Sequence, residues 1–178
     1  MIFKETKLKG TYVIKLDPIK DSRGFFARSF CRKEFEKKGL NFNIVQSSIS
    51  YNKKRGTIRG MHFQTSHYKE AKLVMCIRGA LYDVIIDLRR SSPTYGKWLS
   101  VKLTEANYKA LYIPKGFAHG FQTLKNNTVV LYQISEFYYP ESSRGIRWND
   151  PVFRIKWPMD KFILSDKDKG YKDFILAF

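Results

Sequence analysis

Short apolar runs, each closed within a few residues by Gly, Pro, Asn or Ser, restrict the fold of this chain more than any other feature of its sequence. A helix buries one face at a period of about 3.6 residues and needs a long uninterrupted stretch to do so, whereas a strand needs only alternation over a short one. The runs at 11–16, 42–52, 56–64, 71–79, 80–90, 96–104, 109–116, 117–124 and 128–139 therefore read as strands, rich in Val, Ile, Tyr and Phe. Several are about equally spaced. That spacing predicts an all-β chain closed into a sandwich or barrel, since closure removes the unpaired edges of an open sheet. A short surface helix is expected at 32–39, where Phe35 lies among charges and Gly39 supplies the stop. The stretch 164–178 is polar and then apolar, and should pack back onto the barrel with its Asp and Lys residues within reach of a pocket. With 178 residues, 43% of them hydrophobic, the chain can build one core and little more. No repeat or Pro-rich linker divides it, so a single domain over 1–178 is expected.

Charge narrows the partners. The formal net charge is +17, from 33 Lys and Arg against 16 Asp and Glu, and such a surface attracts phosphates of every kind. Scattered surface lysines account for much of the excess, and a substrate bearing a pyrophosphate would account for a few clustered cations. Nucleic acid is not an expected partner, because zinc-finger spacing, a basic helix with heptads and an RNA-binding aromatic signature are all missing. No apolar run approaches the length that spans a bilayer, and MIFKETKLKG carries charge where a signal peptide needs an apolar core. The expectation is a cytoplasmic protein without membrane contact. Cys31 and Cys76 read as reduced thiols.

Four segments carry residues suited to chemistry. In RGMHFQ, alternation sets His62 and Gln64 on one face and Arg59 on the other, although a bulge at Gly60 would bring His62 and Arg59 into one cleft. In IPKGFAHGF, Gly116 and Gly120 flank His119 and permit close backbone approach to a ligand. Lys72 stands at the entrance to an apolar strand, where burial and a neighbouring anion would pull its pKa in opposite directions. Tyr132 groups with Val130 and Ile134 on an inward face, where a phenol needs a partner. Taken alone, each has an ordinary structural explanation. Metal binding has weak support, since the three histidines, His62, His67 and His119, include no His-x-His pair; a site of His62, Glu70 and His119 stays open. P-loop, dinucleotide and serine-hydrolase signatures are absent.

These segments occur in an order that resembles the dTDP-4-dehydrorhamnose 3,5-epimerase family, the RmlC-like branch of the cupins. The resemblance runs from DSRGFF through GTIRGMHFQ, AKLVMCIRGALYDVIIDLRRSSPTYGKW, YIPKGFAHGF, VLYQISEFYYP, GIRWNDP and KWP to LSDKD. It implies a cupin-type jelly-roll barrel with a few short helices. It also implies a homodimer whose N-terminal segment crosses to the partner, with Arg23 as the crossing residue. The implied substrate is a nucleotide-diphosphate 4-keto-6-deoxy sugar, inverted at C3, C5 or both without cofactor or metal, for deoxysugar and cell-surface polysaccharide synthesis. By the same resemblance His62 is the base, Asp168 its orienting carboxylate, Tyr132 the proton donor and Lys72 the enolate stabiliser. Arg59 and His119 would hold the sugar and diphosphate, Lys167 would touch the nucleotide, and Tyr138 joins the substrate-binding set.

Several positions depart from the family pattern and gather at the nucleotide end of the implied pocket. Arg28 stands where an acid is common, and Gln46 is followed at Ser48 by a hydroxyl in place of an amide. Ser143 replaces a common glutamate, and Glu70 precedes Lys72 in place of a glutamine. Replacing acceptors by an arginine and hydroxyls changes how a base and ribose are read. A cytidine-linked or other 4-keto sugar, epimerised at one centre, therefore stands as an alternative. So do a metal-binding cupin isomerase or dioxygenase and a binding protein without turnover.

Overall fold

Alternation along the strands sorts the side chains of two facing sheets. The computed structural model describes residues 1–175. One sheet runs in the order β1 (Ile2–Glu5), β2 (Tyr12–Lys15), β10 (Lys109–Ile113), β7 (Lys72–Arg78), β12 (Thr128–Ile134) and β5 (Gln46–Asn52). The other runs β13 (Ser143–Gly145), β6 (Ile58–Gln64), β11 (Phe117–Thr123), β8 (Ala80–Asp87) and β9 (Trp98–Thr104). A separate ribbon pairs β3 (Ile19–Asp21) with β4 (Gly24–Phe26). Neighbours within each sheet are antiparallel, as in the expected all-β jelly roll.

Inward positions of both sheets meet in one cluster: Val74, Leu111 and Val130 from the first face Leu81, Ile85 and Phe121 from the second. Each such side chain contributes about 1.5–3 kcal/mol by leaving water. The outer face of the six-stranded sheet is covered by Phe35 and Phe42, which pack on Leu73, Met75 and Tyr112. Phe35 belongs to α1 (Arg32–Glu36), the helix expected from the sequence, and the chain leaves it at Gly39 with φ of +70°. The outer face of the five-stranded sheet is covered by Ile146, Phe153 and Ile155. The expected strand at 42–52 begins only at Gln46, because Phe42 is drawn into the α1 cluster.

Elements the sequence did not announce are short, four residues or fewer: β1, β3, β4, β13 and α2 (Asp166–Lys169). The α2 turn is capped by Ser165, whose hydroxyl accepts the Asp168 N–H at 3.2 Å. The C-terminal stretch does return to the barrel, where Phe174 packs on Phe153 with ring centroids 5.4 Å apart. Residues 176–178 of that stretch lie outside the described residues.

The glycines of IPKGFAHGF have another use than the one expected of them. A Cβ on Gly120 would lie 2.7 Å from both Arg59 O and Met61 Sδ, and one on Gly116 would lie 2.7 Å from Arg89 Cγ. The close approach is thus to protein, with β6 pressed against its neighbour β11 at Gly120. Gly60 answers from the other strand, with φ of +123° and a Cβ position that runs into Gly120 Cα. Gly60→Ala should therefore destabilise the fold by roughly 2–4 kcal/mol, through overpacking and a backbone conformation closed to alanine. A lower urea midpoint with an unchanged m-value checks this.

Candidate active site

The Gly60 and Gly120 contact sets the register that builds the site. On β11 one residue separates His119 from Phe121, while on β6 two separate their partners, His62 and Arg59. The extra residue undoes the alternation that would have sent His62 and Arg59 to opposite faces. Both now line one cavity of about 300 Å³ with Ser48, His119 and Tyr132. A second cavity, of about 210 Å³, shares His62, Lys72 and Ile134 with the first and adds Gln46, Glu70, Tyr138, Ser143 and Lys167. The two form a continuous cleft with His62 and Lys72 at the junction.

His62 is held from the C-terminal turn. Its Nε2 lies 2.6 Å from Asp168 Oδ1, and the Asp168 side chain is only 5% exposed. Burial alone would raise the Asp168 carboxyl, but the hydrogen bond and charge of His62, with the Gly60 N–H and Ser165, outweigh it and hold the carboxyl below its usual range. A carboxylate there accepts a hydrogen bond from Nε2–H and leaves Nδ1 as the nitrogen with the free lone pair.

Lys72 and Glu70 form a second pair, Nζ to Oε1 at 2.8 Å, with side chains 12% and 7% exposed. Glu70 also accepts the Gln64 N–H at 3.1 Å. The Gln64 amide donates to Tyr68 O at 2.9 Å and Phe137 O at 3.0 Å and accepts from the Tyr139 N–H at 2.7 Å, which pins the segment carrying Tyr138.

The third pair is His119 Nε2 with Asp83 Oδ1 at 2.7 Å, both enclosed. Burial raises the Asp83 carboxyl against the opposing charges of His119 and Lys72. The Tyr132 ring stands edge-on to His119, with centroids 6.0 Å apart. Its phenol is pushed far above the ordinary value, by burial first and then by the Asp83 charge, with Arg59 opposing. It therefore stays protonated. Arg59 is itself aimed by Asn52, whose Oδ1 accepts from Nε at 2.9 Å.

Of the residues the sequence singled out, Arg23 and Arg28 are not brought to this cleft within the protomer. Arg23 sits in the β3 and β4 ribbon, 88% exposed, and pairs with its own Asp21 at 2.6 Å. Arg28 pairs with Glu34 at 3.1 Å beside a separate cavity lined by Met1 and Asp17. Asp83, Asn52 and Gln64 were missed as site residues; an acid inside the apolar run LYDVII was the one signal available for Asp83. His62, Glu70 and His119, the possible metal set, are each committed to a different partner. No group of three His, Cys, Asp or Glu able to hold a metal ion occurs among the described residues.

Comparison with known proteins adds the identity of the scaffold. A profile described as dTDP-4-dehydrorhamnose 3,5-epimerase matches residues 5–175. The chain belongs to this family. A dTDP-4-dehydrorhamnose 3,5-epimerase from Sinorhizobium fredii is 43% identical over 96% of this chain and 88% of its own. The crystal structure of such an epimerase from Bacillus anthracis, with TDP and pyrophosphate bound, superposes with a TM-score of 0.95 at 40% identity, covering 97% of this chain and 99% of that one. A 3'-monoepimerase from Streptomyces bikiniensis in complex with dTDP-quinovose gives a TM-score of 0.88 at 29% identity over 94% of this chain and 85% of that one. The fold is accordingly the cupin barrel of this family, and the protein is an isomerase of the epimerase class.

The depressed Asp168 carboxyl makes the link between tail and barrel pH-dependent. Its stabilisation is present above the ordinary carboxyl value of about 3.9 and is lost as pH falls through the lower folded value. Asp168→Asn should thus be less stable than the native chain by about 2 kcal/mol at neutral pH. Denaturant titrations across pH should show the two curves converging below about pH 4.

Proposed function

We propose that His62 and Tyr132 act as base and acid on opposite faces of a dTDP-linked 4-keto-6-deoxy sugar, inverting its carbon centres at C3 and C5. The observation that carries this reading is their presence in one cavity with Lys72 at its margin. The C4 carbonyl acidifies the C–H bonds on either side of it. Nδ1 of His62, freed by the Asp168 bond to Nε2, takes a proton from one of these carbons. Electron density moves to the carbonyl oxygen, where the Lys72 ammonium, already oriented by Glu70, offers its remaining N–H bonds to the enolate. Protonation from the neutral Tyr132 phenol on the other face completes the inversion. Arg59 and His119 would hold sugar and diphosphate. Gln46, Ser48, Tyr138, Ser143 and Lys167 would read the nucleotide, and two of these, Ser48 and Ser143, are positions where the chain departs from the family pattern. Every step uses groups of the chain itself.

In this reading the unit is one domain over 1–178 that works as a homodimer in the cytoplasm. Cys31 and Cys76 are free thiols, as a reducing compartment requires. No helix among the described residues is long and apolar enough to cross a membrane. The ribbon of β3 and β4 presents Ile19 and Phe26, each 72% exposed, and the outer side of β5 presents Ile49, also 72% exposed. Such surfaces are suited to burial against a second copy, and a crossing ribbon would carry Arg23, and Arg28 just beyond it, toward the partner's cleft.

In deuterated buffer the enzyme should place solvent deuterium at C5 and C3 of dTDP-4-keto-6-deoxyglucose, followed by mass spectrometry and NMR. Exchange at one carbon alone would mark a single-centre epimerase, and better turnover of a cytidine-linked sugar would displace the thymidine assignment. His62→Ala should abolish exchange, while Tyr132→Phe should keep proton removal and slow inversion by about 10²–10⁴-fold. A His62→Ala variant that still exchanges would remove the proposed base. Arg23→Ala should raise KM with kcat little changed if the ribbon reaches the partner, and sedimentation equilibrium should show two chains per particle.

A further inference from the structure

We propose that Tyr171 is a positioning residue for the His62 and Asp168 pair, its ring seated in the space that Gly145 leaves open beside His62. The proposal rests on His62 being the base. Gly145 pairs directly with His62 across β13 and β6, and a Cβ there would run into the Tyr171 ring. Backbone conformation does not call for glycine at this position, since its φ lies outside the left-handed region. Space for the ring does. On its other side the ring stands edge-on to the His62 imidazole, with centroids 6.0 Å apart and planes at 69°.

The segment needs such a lock. A helix of four residues has no stability of its own, so α2 takes its place from what flanks it. Upstream, Ile163 is bonded through its backbone to Gly56 and Ile58. Downstream, Asp173 pairs with Arg147 at 2.6 Å, and the Phe174 N–H reaches Asp150 Oδ2 at 2.6 Å. Between these ties lies Asp168, and Tyr171 follows it by three residues. The Tyr171 hydroxyl is buried, with the Lys167 ammonium near enough to act on it by charge and by hydrogen bonding. The ring contacts, to Gly145 on one strand and His62 on the next, are what the proposal assigns the positioning to, and Tyr171→Phe separates them from the hydroxyl.

Turnover and the proton resonance of the Asp168-bound imidazole N–H test this together. Tyr171→Ala and Gly145→Ala should each lower kcat about 10- to 100-fold with KM changed less than about threefold, because misplacing a reacting group costs rate before affinity. Both should lose the downfield N–H resonance. The double variant should be no worse than either single one, as coupled neighbours require. Tyr171→Phe should restore most of the lost kcat together with the resonance. The proposal is overturned if Tyr171→Ala keeps native kcat and resonance while His62→Ala is inactive, or if Tyr171→Phe is as impaired as alanine. Turnover retained in His62→Ala would instead remove the base assignment, and the proposal with it. Should Tyr171→Ala unfold the tail, Gly145→Ala carries the same comparison from the barrel side.

Discussion

Two neighbouring strands approach so closely at Gly60 and Gly120 that neither can carry a Cβ there, and the cleft depends on that contact. Strand alternation is strict wherever pairing is regular, and it would turn Arg59 away from His62. The extra residue on β6 beside this contact breaks the alternation once, and both side chains emerge into one cavity. A Cβ on either glycine would meet the backbone of the other strand, so the contact tolerates no side chain. Met61 next to it is fully buried and joins the cluster that roofs the five-stranded sheet.

Charge in the cleft is organised as pairs. His62 with Asp168, Lys72 with Glu70 and His119 with Asp83 are each within 2.8 Å. Removing such charges from water costs about as much as their attraction returns, so the pairs are poor devices for stability. What they supply is orientation. Under the proposed mechanism, an imidazole whose tautomer is set, an ammonium already aimed and a phenol kept neutral would need no rearrangement as charge moves through the substrate. The large positive charge of the chain is a different matter: much of it lies in exposed lysines that bear on long-range attraction of an anionic sugar nucleotide and not on the chemistry.

The cleft also joins distant parts of the chain. His62 comes from the barrel and Asp168 from a turn more than a hundred residues later, separated by 106 positions. That turn is held by its flanks and by the Tyr171 ring against Gly145. Barrel and tail thus meet at His62, and under the proposed mechanism a residue with no contact to substrate would still govern the geometry of the base.

The sequence by itself determined the longer barrel strands, the α1 helix with its glycine stop, and the inward face of β12 that carries Tyr132, because alternation, apolar runs and turn residues act over a few neighbouring positions. It also placed His62, Lys72, Tyr132 and Asp168 among the candidates, through motifs whose order resembles that of a known family. Only the tertiary structure decided that Arg59 shares a cavity with His62, that Gly120 beside His119 lies against β6, and that Asp83, Asn52 and Gln64 hold the site in place. These depend on register and on contacts between strands remote in sequence. A short polar segment such as α2 or β13 has no pattern to announce it, since its position comes from what it packs against.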